Sequence, residues 1–322
     1  MRDIKTLLKI RNLNVEYQTR TEKKSALSNS NLDLNEGEIL GLLGESGAGK
    51  STVGMAILKL IEPPNKTNGE IWFNDLEILS LKGSKLRNYR WNNVSMIFQA
   101  AMNILDPVIN IKDSFSQLLI DKKISSSKRE DEKYGAQLLR LVGLTDSVQR
   151  MYPFELSGGM KQRVVIAMAI ATNPSIVIAD EITTALDTLT QFNILMLLQD
   201  LMKEGKIGGL ILISHDLSVQ LMMSDRIIVM YRGYAIEEGT ANDIFYNPLH
   251  PYTQILINSR NPVKNGVELA AMPKSFDSIG DSHCIFVVSC KFAKGRCYTN
   301  KPELLDLGET HKVMCFLYGE DS

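Results

Sequence analysis

One eight-residue segment constrains this chain more than any other. Residues 44–51 read GESGAGKS, directly after the apolar run Ile39–Leu43 and ahead of a helix-like pattern over 52–61. Gly44, Gly47 and Gly49 let the backbone turn tightly and aim N–H groups at phosphate oxygens. Lys50 has the reach for a β- or γ-phosphate, Ser51 has a hydroxyl for Mg²⁺, and the helix N-terminus that follows favours an anion. A strand, a glycine-rich loop and a helix in that order imply a parallel α/β sheet with a phosphate site at its edge. Alone, the segment says only that a nucleoside triphosphate is bound.

The rest of the chain fits such a core. Strands are expected at 70–73, 94–98, 176–179 and 210–213, with a helix over 190–203. Arg226–Tyr231 and 234–237 flank Arg232-Gly233 and read as a hairpin. Between about 103 and 170 the pattern turns helical, over 114–120, 133–142 and 161–171, with a charged, serine-rich connection at 121–132. This region reads as a helical insertion into a nucleotide-binding domain spanning 1–258. Residues 259–322 are loop-rich and read as a small appended domain. The longest apolar run, 164–171, is far short of the roughly 20 residues of a membrane span. With 36 basic and 37 acidic residues, bulk charge gives no reason to expect nucleic acid as a partner.

Four further positions stand just after expected strands. Asp180 and Glu181 end the run Ile176-Val-Ile-Ala, Gln99 follows 94–98, and His215 follows 210–213. Ligands bind at the carboxyl ends of parallel strands. There Asp180 suits Mg²⁺ held through water, and Glu181 suits polarising an attacking water. A strand ending in two acids is ordinary by itself, and so is a lone histidine after a strand. Their shared placement is not. Residues 156–163 read LSGGMKQR, where Ser157, Gly158 and Gly159 would present a hydroxyl and N–H groups at a positive helix end. A plain N-capped helix is the simpler reading. Yet Lys50 already serves the chain's own nucleotide, so a second anion site suggests ATP sandwiched between two subunits.

Together these motifs resemble the ATPase subunits of ABC transporters over about residues 5–258. The resemblance implies a RecA-like P-loop core with an antiparallel β subdomain and the helical insertion. It implies nucleotide contacts from Tyr17, stacked on adenine, and from Gly44, Ser46, Gly47, Gly49, Lys50, Ser51, Thr52, Gln99 and Asp180. Mg²⁺ would lie among Ser51, Gln99 and Asp180, with Glu181 and His215 catalytic. Ser157, Gly158, Gly159 and the D-loop residue Asp187 would serve the partner's ATP. NPLHPYTQILI (247–257) and CKFAKGRC (290–297) are similar to the C-terminal extension of oligopeptide/dipeptide importer ATPases. The Met-rich form LSGGMKQRVVIAMAIA resembles one of two paralogues in those importers, which implies a heterodimer. The implied partners are that paralogue, two transmembrane permease subunits and an extracytoplasmic binding protein, with this chain on the cytoplasmic face of the membrane. Two departures stand out. Ile182 occupies the usual proline position after the paired acids, and the segment after Gln99 reads Ala-Ala-Met-Asn.

All four cysteines, Cys284, Cys290, Cys297 and Cys315, fall after residue 280 at spacing C-x5-C-x6-C-x17-C. Four thiolates suit a [4Fe–4S] cluster or, less well without a C-x2-C pair, a structural zinc. The importer resemblance favours the cluster. Disulfides or free thiols complete the alternatives, and His283 and His311 read as ordinary loop histidines. The expectation is an ATP hydrolase driving import of di- or oligopeptides. Oligosaccharides or metal chelates such as nickel are alternative cargoes. An ABC-type ATPase with no transporter is the rival of another class, disfavoured by the absence of a long coiled-coil insert and of a second ATPase module.

Overall fold

The structure is a computed structural model and describes residues 5–19, 22–98, 104–121, 127–184, 186–259, 282–308 and 310–319. Its centre is three inner strands of an eight-stranded sheet, β3 (Ile39–Leu43), β7 (Ile176–Asp180) and β8 (Gly209–Ile213), every residue of each buried. Strands covered on both sides read as unbroken apolar runs, and these do. β3 pairs in parallel with β8 and with β9 (Arg226–Tyr231), and β7 pairs in parallel with β8 and with β6 (Val94–Ile97). Leu40, Leu42, Ile178, Ile211 and Ile213 point into one core, and Val177, Ala179, Leu210 and Leu212 into another across the sheet.

β9 turns back into β10 (Tyr234–Thr240) as the expected hairpin. The short strands β11 (Leu305–Asp306) and β12 (Lys312–Val313) then add to the outer edge of β10, so the C-terminal segment completes the main sheet. A separate antiparallel sheet is formed by β1 (Thr6–Gln18), β2 (Lys23–Asn35), β4 (Lys66–Phe73) and β5 (Leu76–Glu77), in the order β2-β1-β4-β5. Its apolar face closes one of the two cores.

The helices around the core begin with α1 (Lys50–Ile57), directly after the glycine-rich loop, and α2 (Gly83–Asn92). The helical insertion holds α3 (Ile111–Asp121), α4 (Lys128–Leu141) and α5 (Gly158–Ala169). The expected connection at 121–132 is shortened, because Ser127 accepts from the Glu130 N–H and caps α4 there. α5 likewise starts earlier than 161, capped by Ser157 on the Met160 N–H. Beyond it lie α6 (Thr188–Lys203), α7 (Leu217–Met223), α8 (Ala241–Tyr246) and α9 (Pro251–Asn258). Gln220 of α7 is fully buried and donates to the carbonyls of Leu42 and Leu212, which fixes the helix against β3 and β8. Among the described residues no helix is long and apolar enough to cross a membrane.

Candidate functional site

The carboxyl ends of β3, β7 and β8 open into a cleft of about 690 Å³. The glycine-rich loop forms its floor. Gly49 sits at φ 103, a conformation that side chains resist, and a Cβ there would lie 2.6 Å from the Ala26 carbonyl. Gly44 passes so close to β9 that a Cβ would lie 2.3 Å from the Met230 carbonyl. Glycine at these two positions is what lets the loop lie flat between β2 and the sheet.

Lys50 is almost fully buried, and its Nζ donates to the Gly44 and Glu45 carbonyls at 2.8 and 2.9 Å. Burial lowers its pKa, against the raising influence of Glu181, Asp180 and Glu45. A buried ammonium whose hydrogen bonds run to backbone carbonyls is poised to exchange them for phosphate oxygens. Ser51 Oγ donates to Asp180 Oδ1 at 3.0 Å. Burial raises the Asp180 pKa, while the Ser51 hydrogen bond opposes it. A hydroxyl and a carboxylate side by side are hard oxygen donors. Mg²⁺ sites of the nucleotide type use one or two such protein oxygens and take the others from phosphates and water, so these two residues fit that ion.

Glu181 takes a left-handed backbone at φ 47, and its N–H is held by the Ile213 carbonyl at 3.0 Å. This turns its side chain into the cleft, where Oε1 lies 3.1 Å from His215 Nδ1. Ile182, at the usual proline position, is buried in the adjoining core instead. Ser46, Gly47, Thr52 and the Tyr17 side of β1 complete the expected lining. The Tyr17 hydroxyl is itself buried, with no hydrogen-bond partner among the described residues. Gln99 lies outside the described residues.

Ser157, Gly158, Gly159 and Asp187 do not line this cleft. They are built together elsewhere. Asp187 caps α6 by accepting from the Thr190 N–H at 3.0 Å, which lowers its pKa. Gly159 packs against the same Thr190, where a Cβ would come within 2.7 Å of Cγ2. Asp187 and Gly159 thus meet on one threonine, outside the lining of the chain's own cleft. Sequence reasoning missed Lys24, Ser25 and Ala26 of β2 and Leu256 and Ser259 at the end of the chain's core, all of which line the cleft. Only the 247–257 motif marked that last segment, and nothing in it pointed to a nucleotide.

The metal expectation for the cysteines is overturned. Among the described residues no group of three or more His, Cys, Asp or Glu side chains is disposed to hold a metal ion. Neither a [4Fe–4S] cluster nor zinc fits the donor set. Cys284, Cys290, Cys297 and Cys315 are free thiols that face one another in an apolar environment with Phe286, Val287 and Phe316, Cys290 being the least buried. Burial pushes the Cys284 thiol up to about 11 and also raises Cys290 and Cys315. Metal ligation requires thiolates, which such an environment disfavours. His311 is engaged by Glu237 at 2.8 Å.

Comparison with known proteins follows the same lines. Residues 27–184 match the family described as ABC transporter, and residues 236–297 match the oligopeptide/dipeptide transporter C-terminal region. The oligopeptide transport ATP-binding protein AppD of Bacillus subtilis (strain 168) is 36% identical over 323 residues, covering 98% of each chain. The dipeptide transport ATP-binding protein DppD of Haemophilus influenzae is 37% identical over 96% of this chain and 94% of its own. Among solved structures, the dimeric ATP-binding cassette MJ0796 in a post-hydrolysis state with ADP and Pi has a TM-score of 0.64 at 32% identity, over 73% of this chain and 98% of that one.

Proposed function

Because this chain belongs to the ABC-transporter ATP-binding subunits of the oligopeptide/dipeptide type, we propose that it powers uptake of di- or oligopeptides as one of two paralogous ATPases beneath a pair of permease subunits. It binds and hydrolyses ATP as one component of a multi-subunit transporter. The observation that carries the finer reading is the division just described. Lys50, Ser51, Glu181 and His215 line one cleft, with Asp180 bonded to Ser51 beneath it, whereas Ser157–Gly159 and Asp187 do not line it. A chain built this way supplies one half of each of two composite sites.

In this reading Lys50 leaves the Gly44 and Glu45 carbonyls and holds the β- and γ-phosphates. Ser51 and Asp180 would hold Mg²⁺, which supplies charge neutralisation at the phosphates when bound. The Glu181 carboxylate orients the attacking water and takes its proton. His215, fixed by Glu181, donates toward the γ-phosphate as negative charge develops. Tyr17 covers the base. The partner's counterparts of Ser157, Gly158 and Gly159 close the cleft, and Asp187 reaches across the same interface. The match to the oligopeptide/dipeptide transporter C-terminal region, with relatives named for oligopeptide and dipeptide transport, favours peptide as cargo. A binding protein outside the membrane delivers it, and this subunit works at the cytoplasmic face.

The test is ATP hydrolysis by the assembled transporter in proteoliposomes with its binding protein inside. Stimulation by di- or oligopeptides, abolished in Glu181→Gln, is the expected result. Stimulation by an oligosaccharide or a nickel chelate and not by peptide would overturn the cargo.

A further inference from the structure

The C-terminal motif 247–257 reaches the nucleotide cleft. His250 caps α9, its Nδ1 accepting the Tyr252 N–H at 3.0 Å. Burial holds that imidazole neutral, with a pKa lowered to about 3, so the acceptor role is fixed. Pro251 at the first helical position sets the entry angle. Residues 252, 256 and 259 then fall on one helical face. Tyr252 is fully buried, and its hydroxyl accepts the N–H of Glu45, the second residue of the phosphate loop, at 3.2 Å. Leu256 and Ser259 line the same cleft as Lys50 and Glu181.

The Glu45 backbone is therefore held on both sides of its Cα, its N–H by Tyr252 and its carbonyl by Lys50. The Tyr252 ring cannot withdraw freely, because it lies 4.6 Å from the Tyr231 ring and 5.7 Å from that of Phe286. Phe286 in turn packs among the cysteines of the C-terminal segment. An apolar side chain and a hydroxyl suit a nucleoside better than a polyphosphate.

We propose that α9 is a wall of the nucleotide site, with Tyr252 as a positioning residue for the phosphate loop and Leu256 and Ser259 contacting the nucleoside end of ATP. This rests on the cleft being the ATP site. It makes the C-terminal region part of nucleotide binding as well as an attachment to the sheet.

The test uses the full chain and titrates Mg-ATP against wild type, Tyr252→Phe, Leu256→Glu and Lys50→Ala. Tyr252→Phe removes one oxygen and keeps the ring. Its Kd should rise about 3- to 10-fold, the worth of one net hydrogen bond, with KM rising in step and kcat kept within about 2-fold. Leu256 is only partly buried, so Leu256→Glu folds, and its charge should weaken binding at least as much. Wild-type Kd in both variants overturns the proposal, and a wild-type Kd in Leu256→Glu alone overturns the wall. Lys50→Ala separates the two readings. If it binds Mg-ATP like wild type, the cleft is not the ATP site.

Discussion

His215 Nδ1 lies 3.1 Å from Glu181 Oε1, across the gap between the ends of β8 and β7. The contact joins two side chains of unequal access, the histidine half exposed and the carboxylate largely covered. In the proposed mechanism the covered carboxylate is the base, and the imidazole it holds faces the γ-phosphate. Glu181→Gln should lower kcat by about 10²- to 10⁴-fold while the Kd for Mg-ATP stays within about 2-fold. Single-turnover hydrolysis beside equilibrium binding measures both, and near-normal turnover in the variant would remove Glu181 from the role of base.

The close packing of Gly159 on Thr190 predicts a paired effect. Gly159→Ala puts a methyl 2.7 Å from Thr190 Cγ2, on a β-branched side chain with little freedom to move. The expected cost is about 1–2 kcal/mol of stability. Thr190→Ser deletes that Cγ2, so the double variant should regain most of the loss in urea denaturation. Additive losses would show that the contact is not what limits position 159.

Glu237 is completely buried and accepts the N–H groups of Leu249 and His250 at 2.7 and 2.9 Å, with His311 Nε2 at 2.8 Å. It ties β10, the approach to α9 and the tail to one point. Glu237→Gln keeps the volume but turns an amide N–H₂ toward donors. The expected cost is about 2–3 kcal/mol, accompanied by faster amide exchange at Lys312 and Val313. An unchanged denaturation midpoint would show that the carboxylate is dispensable.

His250 gives a pH dependence of known sign. Its folded pKa, about 3, lies below the ordinary 6.5 because burial disfavours the imidazolium. Above pH 6.5 both states are neutral at this site and its full contribution is present. As pH falls from 6.5 toward 3 the unfolded chain binds a proton that the native chain refuses, and stability is lost. Between pH 7 and 5 the loss is about 2 kcal/mol. His250→Asn retains a capping oxygen for the Tyr252 N–H and removes the titration. Its stability should therefore change less over that interval than wild type, and equal slopes would contradict the assignment.

The nucleotide half of the site was legible because its parts are local. GESGAGKS needs only its own glycines and the strand before it, and the acids at 180–181 need only the apolar run they end. β2 was illegible, since KKSALSNSNLDLN is rich in turn-forming polar residues and gains its strand form by pairing with β1. The approach of α9 to the cleft was illegible for another reason: its contact with Glu45 spans the fold, and no spacing along the chain encodes it. The cysteines misled because a ligand-like spacing says nothing of burial, and burial decides whether a thiol is available as thiolate. Gln99 remains an expectation from its place after β6.

The pairing of β12 with β10 carries a kinetic consequence. The outer rim of the main sheet is sealed at Glu237 and Glu238 by Val313 and Lys312, partners that arrive from far along the chain. Long-range closures of that kind are slow, since the chain entropy is lost before the contact repays it. During refolding β10 therefore stands for a time as an open strand, with unpaired backbone groups that another molecule's strand can occupy. Yield should fall with protein concentration, and the last few strand residues of the chain, rather than its catalytic core, set how dilute a refolding mixture must be.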